Sequence, residues 1–375
     1  MENSLYDLSP LLRVLAIGAL IASAPALWVY LRNQRADGAS RYRALAAITL
    51  FVTFDLVLFG AFTRLTDSGL GCPDWPGCYG NASPLGAKHD IAMAQLALPD
   101  GPVTHGKAWI EMVHRYMATG VGALITLMTV WAWRMHRRSP ATGVNPWWPT
   151  VTLVWVCIQG AFGALTVTMK LFPAIVSLHL LGGYTLLALL VAQVAMVPRG
   201  ALGAAEPRPL PTRYRTATMA GLVLLVLQAA SGAWVSTNYA VLACTEFPGC
   251  QGELWPAMDW AAATEIWRPL GLTASGDTLS FQALTAMHMG HRTMALLTFV
   301  LLGALAWYWH RQPVLKKPAR WLAALLLLQL ATGLSNVVLG WPLLAAVMHT
   351  GGAGALVMVL VWAWVQCRNA PAARH

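Results

Sequence analysis

Residues 172–197 read FPAIVSLHLLGGYTLLALLVAQVAMV, and residues 343–366 read LLAAVMHTGGAGALVMVLVWAWVQ. Neither stretch contains Asp, Glu, Lys or Arg, and about 20 apolar residues are enough for a helix to cross the hydrocarbon core of a bilayer. Each stretch carries one histidine, His179 or His349, that is followed closely by a Gly-Gly pair. We therefore interpret both stretches as transmembrane helices and as two copies of one unit.

Seven further stretches of this 375-residue chain are also long and apolar enough to span a membrane. The nine predicted spans are roughly residues 10–31, 43–65, 109–133, 148–169, 172–197, 214–236, 283–309, 319–339 and 343–366. Only 11% of the residues are charged, against about 25% in soluble domains, which excludes a water-soluble globule or a disordered chain. The alternation typical of a β-barrel is absent, so the sequence predicts an all-α polytopic membrane protein.

The formal net charge of +10 is distributed unevenly across the predicted membrane. The links and tail on one side hold 17 Lys and Arg residues, whereas the other side holds only Lys88, Lys107, Lys170 and Arg268. Cytoplasmic loops carry the excess of such residues, so we expect the amino terminus outside and the carboxyl terminus in the cytoplasm. This placement accounts for the positive charge without a nucleic-acid partner. The first span follows an acidic segment and is interpreted as an uncleaved helix rather than a signal peptide.

The eight spans after the first form two similar halves. The corresponding pairs are Gly60 and Gly232, Cys72 and Cys244, and Cys78 and Cys250 at an offset of 172 residues, and Gln159 and Gln329, Gly163 and Gly333, and His179 and His349 at an offset of 170. We predict two tandem pseudo-symmetric four-helix bundles, residues 41–200 and 201–375, and an extra amino-terminal transmembrane helix with its link in residues 1–40.

Ionisable residues inside membrane spans are costly and are candidates for function. The third span contains Glu111, His114 and Arg115, and the seventh contains His288, His291 and Arg292 at the same spacing. With His179 and His349, each half then has two histidines on its second and fourth helices, about 8–12 Å below the outer helix ends. Two imidazoles on facing helices of a bundle are typical of a bis-histidine haem site.

Other interpretations of these residues remain open. The histidines could hydrogen-bond between helices, whereas a zinc site is less compatible because no cysteine or second carboxylate shares their depth. Glu111 is replaced by His288 in the second half, so it is a candidate acid, base or positioning group in one half only; the alternative is an ion pair with Arg115 or Arg64.

Three arginines and one aspartate at membrane depth are further candidates. Arg64, Arg115 and Arg292 could bind haem propionates, or could extend to the surface. Asp55 in the second span could pair with another helix.

The cysteines Cys72 and Cys78, and Cys244 and Cys250, have the same spacing, and each second cysteine follows Pro-Gly. Both pairs lie on the predicted outer side, where oxidation permits disulfides. We expect the disulfides Cys72–Cys78 and Cys244–Cys250, each capping a bundle. Metal ligation and a redox role are the alternatives.

The string GAFTRLTDSGL at residues 60–70, the tryptophan-bearing loop with its cysteine pair and the motif Glu111-x-x-His114-Arg115 resemble the haem A synthase family. So does Gln159 with Gly163 ahead of His179, and the resemblance covers about residues 41–366. It implies that a methyl group of haem O is oxidised by successive hydroxylations to the formyl group of haem A, for cytochrome oxidase assembly in a bacterial cell membrane.

The same resemblance implies roles for individual residues. His114 and His179 would bind the substrate haem, His291 and His349 would ligate a haem b cofactor, and Glu111 would act in catalysis. Haem iron would be the only metal. The implied partners are a haem O synthase (a farnesyltransferase), cytochrome oxidase assembly factors and further copies of the chain.

Two other functional classes compete with this interpretation. A di-haem electron-transfer cytochrome b would need haems stacked across the bilayer, whereas both predicted histidine pairs lie near the outer face. A transporter with histidine gates would be expected to have Pro- or Gly-broken half-helices at the midplane, and these are absent from the sequence.

Overall fold

The computed structural model describes residues 9–139, 143–197 and 209–368. Within these residues the chain is helical, with three isolated β-bridges and no strand. The α-helices are α1 (Ser9–Arg32), α2 (Gly38–Leu65), α3 (Lys88–Ala97), α4 (His105–Arg138), α5 (Trp147–Thr168), α6 (Pro173–Met196), α7 (Thr212–Thr237), α8 (Trp260–Ala263), α9 (Phe281–His310), α10 (Lys316–Val338) and α11 (Leu343–Arg368).

Nine helices of the described part are long and apolar enough to cross a membrane, which confirms the predicted all-α, multi-pass architecture. Several begin outside the predicted apolar spans because polar residues cap them. Asp37, Thr104 and Ser280 accept hydrogen bonds from backbone N–H groups in the first turns of α2, α4 and α9, which satisfies donors that a helix start leaves open. As a result His114 and His291 lie nine and ten residues after the first residue of their helices. This is about 14–15 Å from the helix start, farther than the predicted distance of about 8–12 Å.

The described residues divide into two compact units. The first unit holds residues 9–139, 143–171 and Val197, and α4 lies at its centre, packed against α1, α2 and α5. The added helix α1 approaches α4 closely at Gly18, where a Cβ would collide with Thr119.

The second unit holds residues 172–196 and 209–368. Its helix α11 packs against α6, α7 and α10, and α9 packs against α7 and α10. In the structure α6 therefore belongs with the later helices. The first unit has four of the nine candidate spans of the described residues, and the second unit has five. The predicted boundary at residue 200 lies outside the described residues, and the boundaries at residues 40 and 200 stay a prediction.

The two long loops that follow α2 and α7 contain similar structures. Cys72–Cys78 and Cys244–Cys250 are disulfides, each with Cα atoms 4.9 Å apart, and each loop has a cis X-Pro peptide bond before Pro-Gly-Cys. The spacing of the cysteines thus predicts the disulfides correctly. All four cysteines are buried, which favours a structural role over the redox alternative, since labile disulfides are generally exposed or strained.

Candidate functional site

Two histidines of the second unit each lie against a glycine of a neighbouring helix. A Cβ at Gly232 of α7 would lie 2.8 Å from Cε1 of His291, and a Cβ at Gly333 of α10 would lie 3.3 Å from Cε1 of His349. Any larger side chain would displace these rings. His291 and His349, the two histidines that the sequence pairs, thus both lie in the second unit.

A hydroxyl group lies at hydrogen-bond distance from Nδ1 of each of these histidines. Ser231 Oγ lies 2.8 Å from the Gln228 carbonyl and 2.9 Å from Nδ1 of His291, and the Gln228 amide nitrogen lies 3.1 Å from the same Nδ1. A hydroxyl has one proton and two lone pairs, so with its proton on the carbonyl Oγ can accept from Nδ1–H. In that tautomer the Nε2 lone pair of His291 is available to a metal.

His349 is held in the same way from α10. Thr332 donates to the Leu328 carbonyl (2.8 Å), and its Oγ1 lies 2.9 Å from Nδ1 of His349. The Gln329 amide donates to the His349 carbonyl at 2.9 Å, which fixes the backbone of α11 at the histidine. Hydrogen bonding of the second imidazole nitrogen is the usual arrangement for a metal-ligating histidine.

His288 and Arg292 lie one turn before and one residue after His291, and both contact the disulfide loop. His288 is 4% exposed, and its Nδ1 donates to the Ala240 carbonyl at 3.0 Å. Arg292 donates to the carbonyls of Gly249 (2.9 Å) and Cys244 (3.2 Å). Its buried Nε has no hydrogen-bond partner among the described residues, which leaves one donor for an anionic group.

In the first unit Glu111 joins α4 to the other disulfide loop. Its side chain is buried, Oε2 accepts from the Cys72 N–H at 2.8 Å, and Oε1 forms an ion pair with Arg115. Arg115 also donates to loop carbonyls, including that of Asp74 at 2.9 Å. The ion pair between Glu111 and Arg115, one of the alternatives from the sequence, is therefore present. Arg64 instead pairs with Asp67 at 3.2 Å.

His114 follows Glu111 by one turn and again lies on a glycine. A Cβ at Gly60 would be 3.0 Å from Cε1 of His114, and the ring of Phe59 stacks on the imidazole with centroids 6.4 Å apart and planes 13° apart. His179 lies on α6 in the second unit, and its buried Nδ1 has no hydrogen-bond partner among the described residues. The pairing of His114 with His179 stays a prediction.

Two residues behave differently from expectation. Asp55, a candidate for pairing with another helix, makes no hydrogen bond or ion pair that the structure records within residues 9–139, 143–197 and 209–368. Arg268, counted only as an outer-loop charge, is 1% exposed and donates to Asn238 Oδ1 at 2.7 Å and to the Leu272 carbonyl at 2.9 Å. This burial lowers the pKa of Arg268.

The donor set of the second unit fits a haem. Two imidazoles can offer Nε2 lone pairs, glycines leave room for both rings, and Arg292 has a buried N–H without a partner among the described residues. No group of three or more His, Cys, Asp or Glu suited to a metal ion occurs in the described part of the chain. His291 and His349 could hold the iron of a haem, which would supply redox chemistry there.

Comparison with known proteins shows the family of the chain. The family COX15-CtaA, cytochrome oxidase assembly protein, matches residues 43–361. A haem A synthase of Shewanella oneidensis is 38% identical over 320 residues, covering 84% of this chain and 94% of that protein. Haem A synthases of Halalkalibacterium halodurans and Rhodospirillum centenum are 26% and 27% identical, covering 78% and 83% of this chain and 86% and 84% of those proteins. The chain therefore belongs to the haem A synthase family of cytochrome oxidase assembly proteins.

Proposed function

We propose that this chain is a membrane oxidoreductase that converts haem O into haem A by oxidising a ring methyl group to a formyl group, for cytochrome oxidase assembly. The observation that carries the proposal is an asymmetry between similar halves. Both have a glycine-backed histidine one turn after a buried titratable residue, but that residue is a carboxylate, Glu111, in one half and His288 in the other. One half is thus equipped for proton transfer and the other for holding a cofactor.

In this proposal the second half holds a haem b on Nε2 of His291 and His349. The hydrogen bonds from Nδ1 of these rings to Ser231 and Thr332 support the assignment. Bound there, a haem b would supply single-electron transfer. The unused Nε–H of Arg292 is available to a propionate.

The first half acts on the substrate haem, which His114 and His179 bind and orient. Each hydroxylation is a two-electron oxidation that replaces one C–H bond of the methyl group with C–OH, for which an external oxidant of the dioxygen class supplies the oxygen atom. The hydrated aldehyde formed by the second hydroxylation loses water to leave the formyl group. Glu111 lies beside Arg115 and one turn from His114, and its carboxylate serves as the base that accepts a proton. Arg64, near the outer end of α2, is a candidate contact for a propionate.

The test of this proposal is haem analysis in cells. A host that makes haem O through a haem O synthase, but has no haem A, should accumulate haem A when it expresses this chain. Haems extracted from the membranes are separated by chromatography, and cells with the empty vector are the control. Haem O alone in the expressing cells would contradict the proposal and favour the electron-transfer cytochrome b. A haem O synthase, oxidase assembly factors and further copies of the chain remain the proposed partners.

We also propose that the chain lies in the bacterial cell membrane with its amino terminus outside and its carboxyl terminus in the cytoplasm. The exposed free Cys157 is first removed as Cys157→Ser. In intact spheroplasts, a membrane-impermeant maleimide should then label Asp100→Cys between α3 and α4, and should label Gln34→Cys between α1 and α2 only after lysis. Labelling in the reverse order would contradict this orientation.

A further inference from the structure

Helix α6 belongs to the amino-terminal half by the sequence repeat, but in the structure it packs within the second unit. It carries His179, which the proposed function assigns to the substrate haem, and it lies against α11, which carries His349. The two histidines occupy equivalent positions of the repeat, at an offset of 170 residues. The contact between α6 and α11 therefore determines how the helix of one proposed haem ligand is placed against the helix of the other.

A buried tyrosine joins these two helices. Tyr184 of α6 is 4% exposed, and its hydroxyl donates to the Thr350 carbonyl of α11 at 2.7 Å. The ring of Tyr184 lies against Gly354, where an added Cβ would be 3.2 Å from Cε1. Thr350 directly follows His349, and Gly354 lies one turn after Thr350. The tyrosine thus contacts α11 at two points one turn apart, which fixes α6 both along and across that helix.

Tyr184 and Gly354 are themselves equivalent positions of the repeat, at the same offset of 170 residues. Equivalent residues therefore meet each other where the two helices touch. The space beside Gly354 has no room for a second tyrosine, whereas two glycines would leave the place of the ring unfilled. His179 and His349 each precede this meeting point by five residues, about 7.5 Å of helix. The contact thus holds the two histidines in matched register.

A second polar contact holds α6 on the other side of His179. The hydroxyl oxygens of Ser177 and of Thr237, the last residue of α7, lie 3.2 Å apart, and both side chains are buried. The buried Nδ1 of His179 has no hydrogen-bond partner among the described residues, so the placement of this ring depends on the helix that carries it. Ser177 and Tyr184 lie on either side of His179, and the partners of both belong to the second unit.

We propose that Tyr184 is a positioning residue whose bond to the Thr350 carbonyl sets the spacing between His179 and His349, and with it the spacing between the substrate haem and the cofactor haem. This inference rests on the proposed function. Single-electron transfer between these groups oxidises one iron from ferrous to ferric and reduces the other from ferric to ferrous, and its rate depends on the distance between them. Ligation by the histidines does not fix that distance unless their helices are fixed against each other.

The spacing of the two helices can be measured without turnover in the purified full-length protein. Leu178 and Met348 each directly precede one of the histidines, and both are exposed. Nitroxide labels at Leu178→Cys and Met348→Cys, in a protein whose exposed free Cys157 is replaced by serine, report the distance by dipolar electron paramagnetic resonance. The parent protein should give one narrow distance distribution. Tyr184→Phe removes only the hydroxyl and should broaden or shift that distribution.

The same variant should impair the reaction while leaving the cofactor in place. In cells that make haem O, we expect Tyr184→Phe to lower the ratio of haem A to haem O about 10- to 100-fold, because a misplacement of about 1 Å can cost a factor of that order. The low-spin spectrum of the cofactor haem should be kept. Thr185→Val is the matched control, since Thr185 is exposed and bonds the Leu181 carbonyl of its own helix at 3.0 Å. Both the label distance and the haem A ratio should keep their wild-type values in this control.

Gly354→Ala tests the contact from the side of α11. The added Cβ would press on the ring of Tyr184, so the label distance should lengthen and the haem A ratio should fall.

Parent-like label distances in Tyr184→Phe would overturn the inference, and so would a changed distance with an unchanged haem A ratio. Loss of the low-spin spectrum in Tyr184→Phe would also overturn it, since the residue would then act on cofactor binding. Failure of the proposed function has a different signature. In that case the wild-type chain forms no haem A, whereas the label distance still responds to Tyr184→Phe.

Discussion

His291→Ala and His349→Ala should each abolish the low-spin haem b spectrum of the purified protein. Two axial imidazoles give a six-coordinate, low-spin iron, and removal of either leaves at most one ligand. The ring of the remaining histidine is packed against a glycine of the adjacent helix. It therefore keeps its own position and cannot compensate for the loss of the other ligand. Visible absorption and electron paramagnetic resonance of the detergent-purified variants measure the loss.

A histidine on the same helix provides the control for this experiment. His310 is the exposed last residue of α9, and His310→Ala should leave the low-spin spectrum unchanged. Persistence of that spectrum in His291→Ala or His349→Ala would show that the cofactor is held by other residues. The assignment of cofactor and substrate to the two halves would then be wrong.

Glu111→Gln should lower haem A formation by at least about 100-fold while haem remains bound, because loss of a general base typically costs a factor of that order. The substitution is chosen for its geometry. Glutamine has nearly the shape of glutamate, and its amide oxygen can still accept from the Cys72 N–H, so the contact between α4 and the loop is kept. Glu111→Ala removes both functions and should abolish formyl formation. The ratio of haem A to haem O in membrane extracts measures the effect.

A second intramembrane carboxylate serves as the control for Glu111. Asp55→Asn removes a negative charge from α2 without breaking any contact that the structure records, and it should leave the haem A ratio unchanged. If Glu111→Gln retains full haem A formation and Glu111→Ala loses it, the role of Glu111 is to anchor the loop. Unchanged haem A in both variants would remove Glu111 from the mechanism.

Much of the fold could be predicted because the deciding properties are local. The length of an apolar run is enough to predict a membrane span, and cysteine spacing is enough to predict the two loop disulfides. The earlier starts of α4 and α9 depend on capping by Thr104 and Ser280, which hydropathy does not measure. The grouping of α6 with later helices depends on packing between distant segments, which sequence periodicity does not record.

The candidate site was predictable in its titratable residues but not in its hydroxyls. Glu111 and the histidines stand out in the sequence because they are ionisable residues inside predicted membrane spans, where burying such groups is costly. Ser231 and Thr332 lack that signal, because serine and threonine in helices commonly bond their own backbone. Ser231 and Thr332 each directly precede a glycine that packs against a histidine. Only a comparison of that position between the two halves of the sequence would have indicated them. The attachment of Arg115 and Arg292 to the loops is likewise long-range, since their partners lie about 40 residues away in the chain.

The disulfide loops present opposite backbone groups to equivalent positions of the two halves. One loop offers the N–H of Cys72 to Glu111, and the other offers the carbonyl of Ala240 to His288. An ionised carboxylate is acceptor-only and cannot bond a carbonyl, whereas a neutral imidazole has both an N–H and an acceptor nitrogen and can bond either group. A histidine at position 111 could therefore accept from the Cys72 N–H, but an ionised glutamate at position 288 would face a carbonyl. The direction of the loop backbone thus permits a carboxylate in the first half and disfavours one in the second.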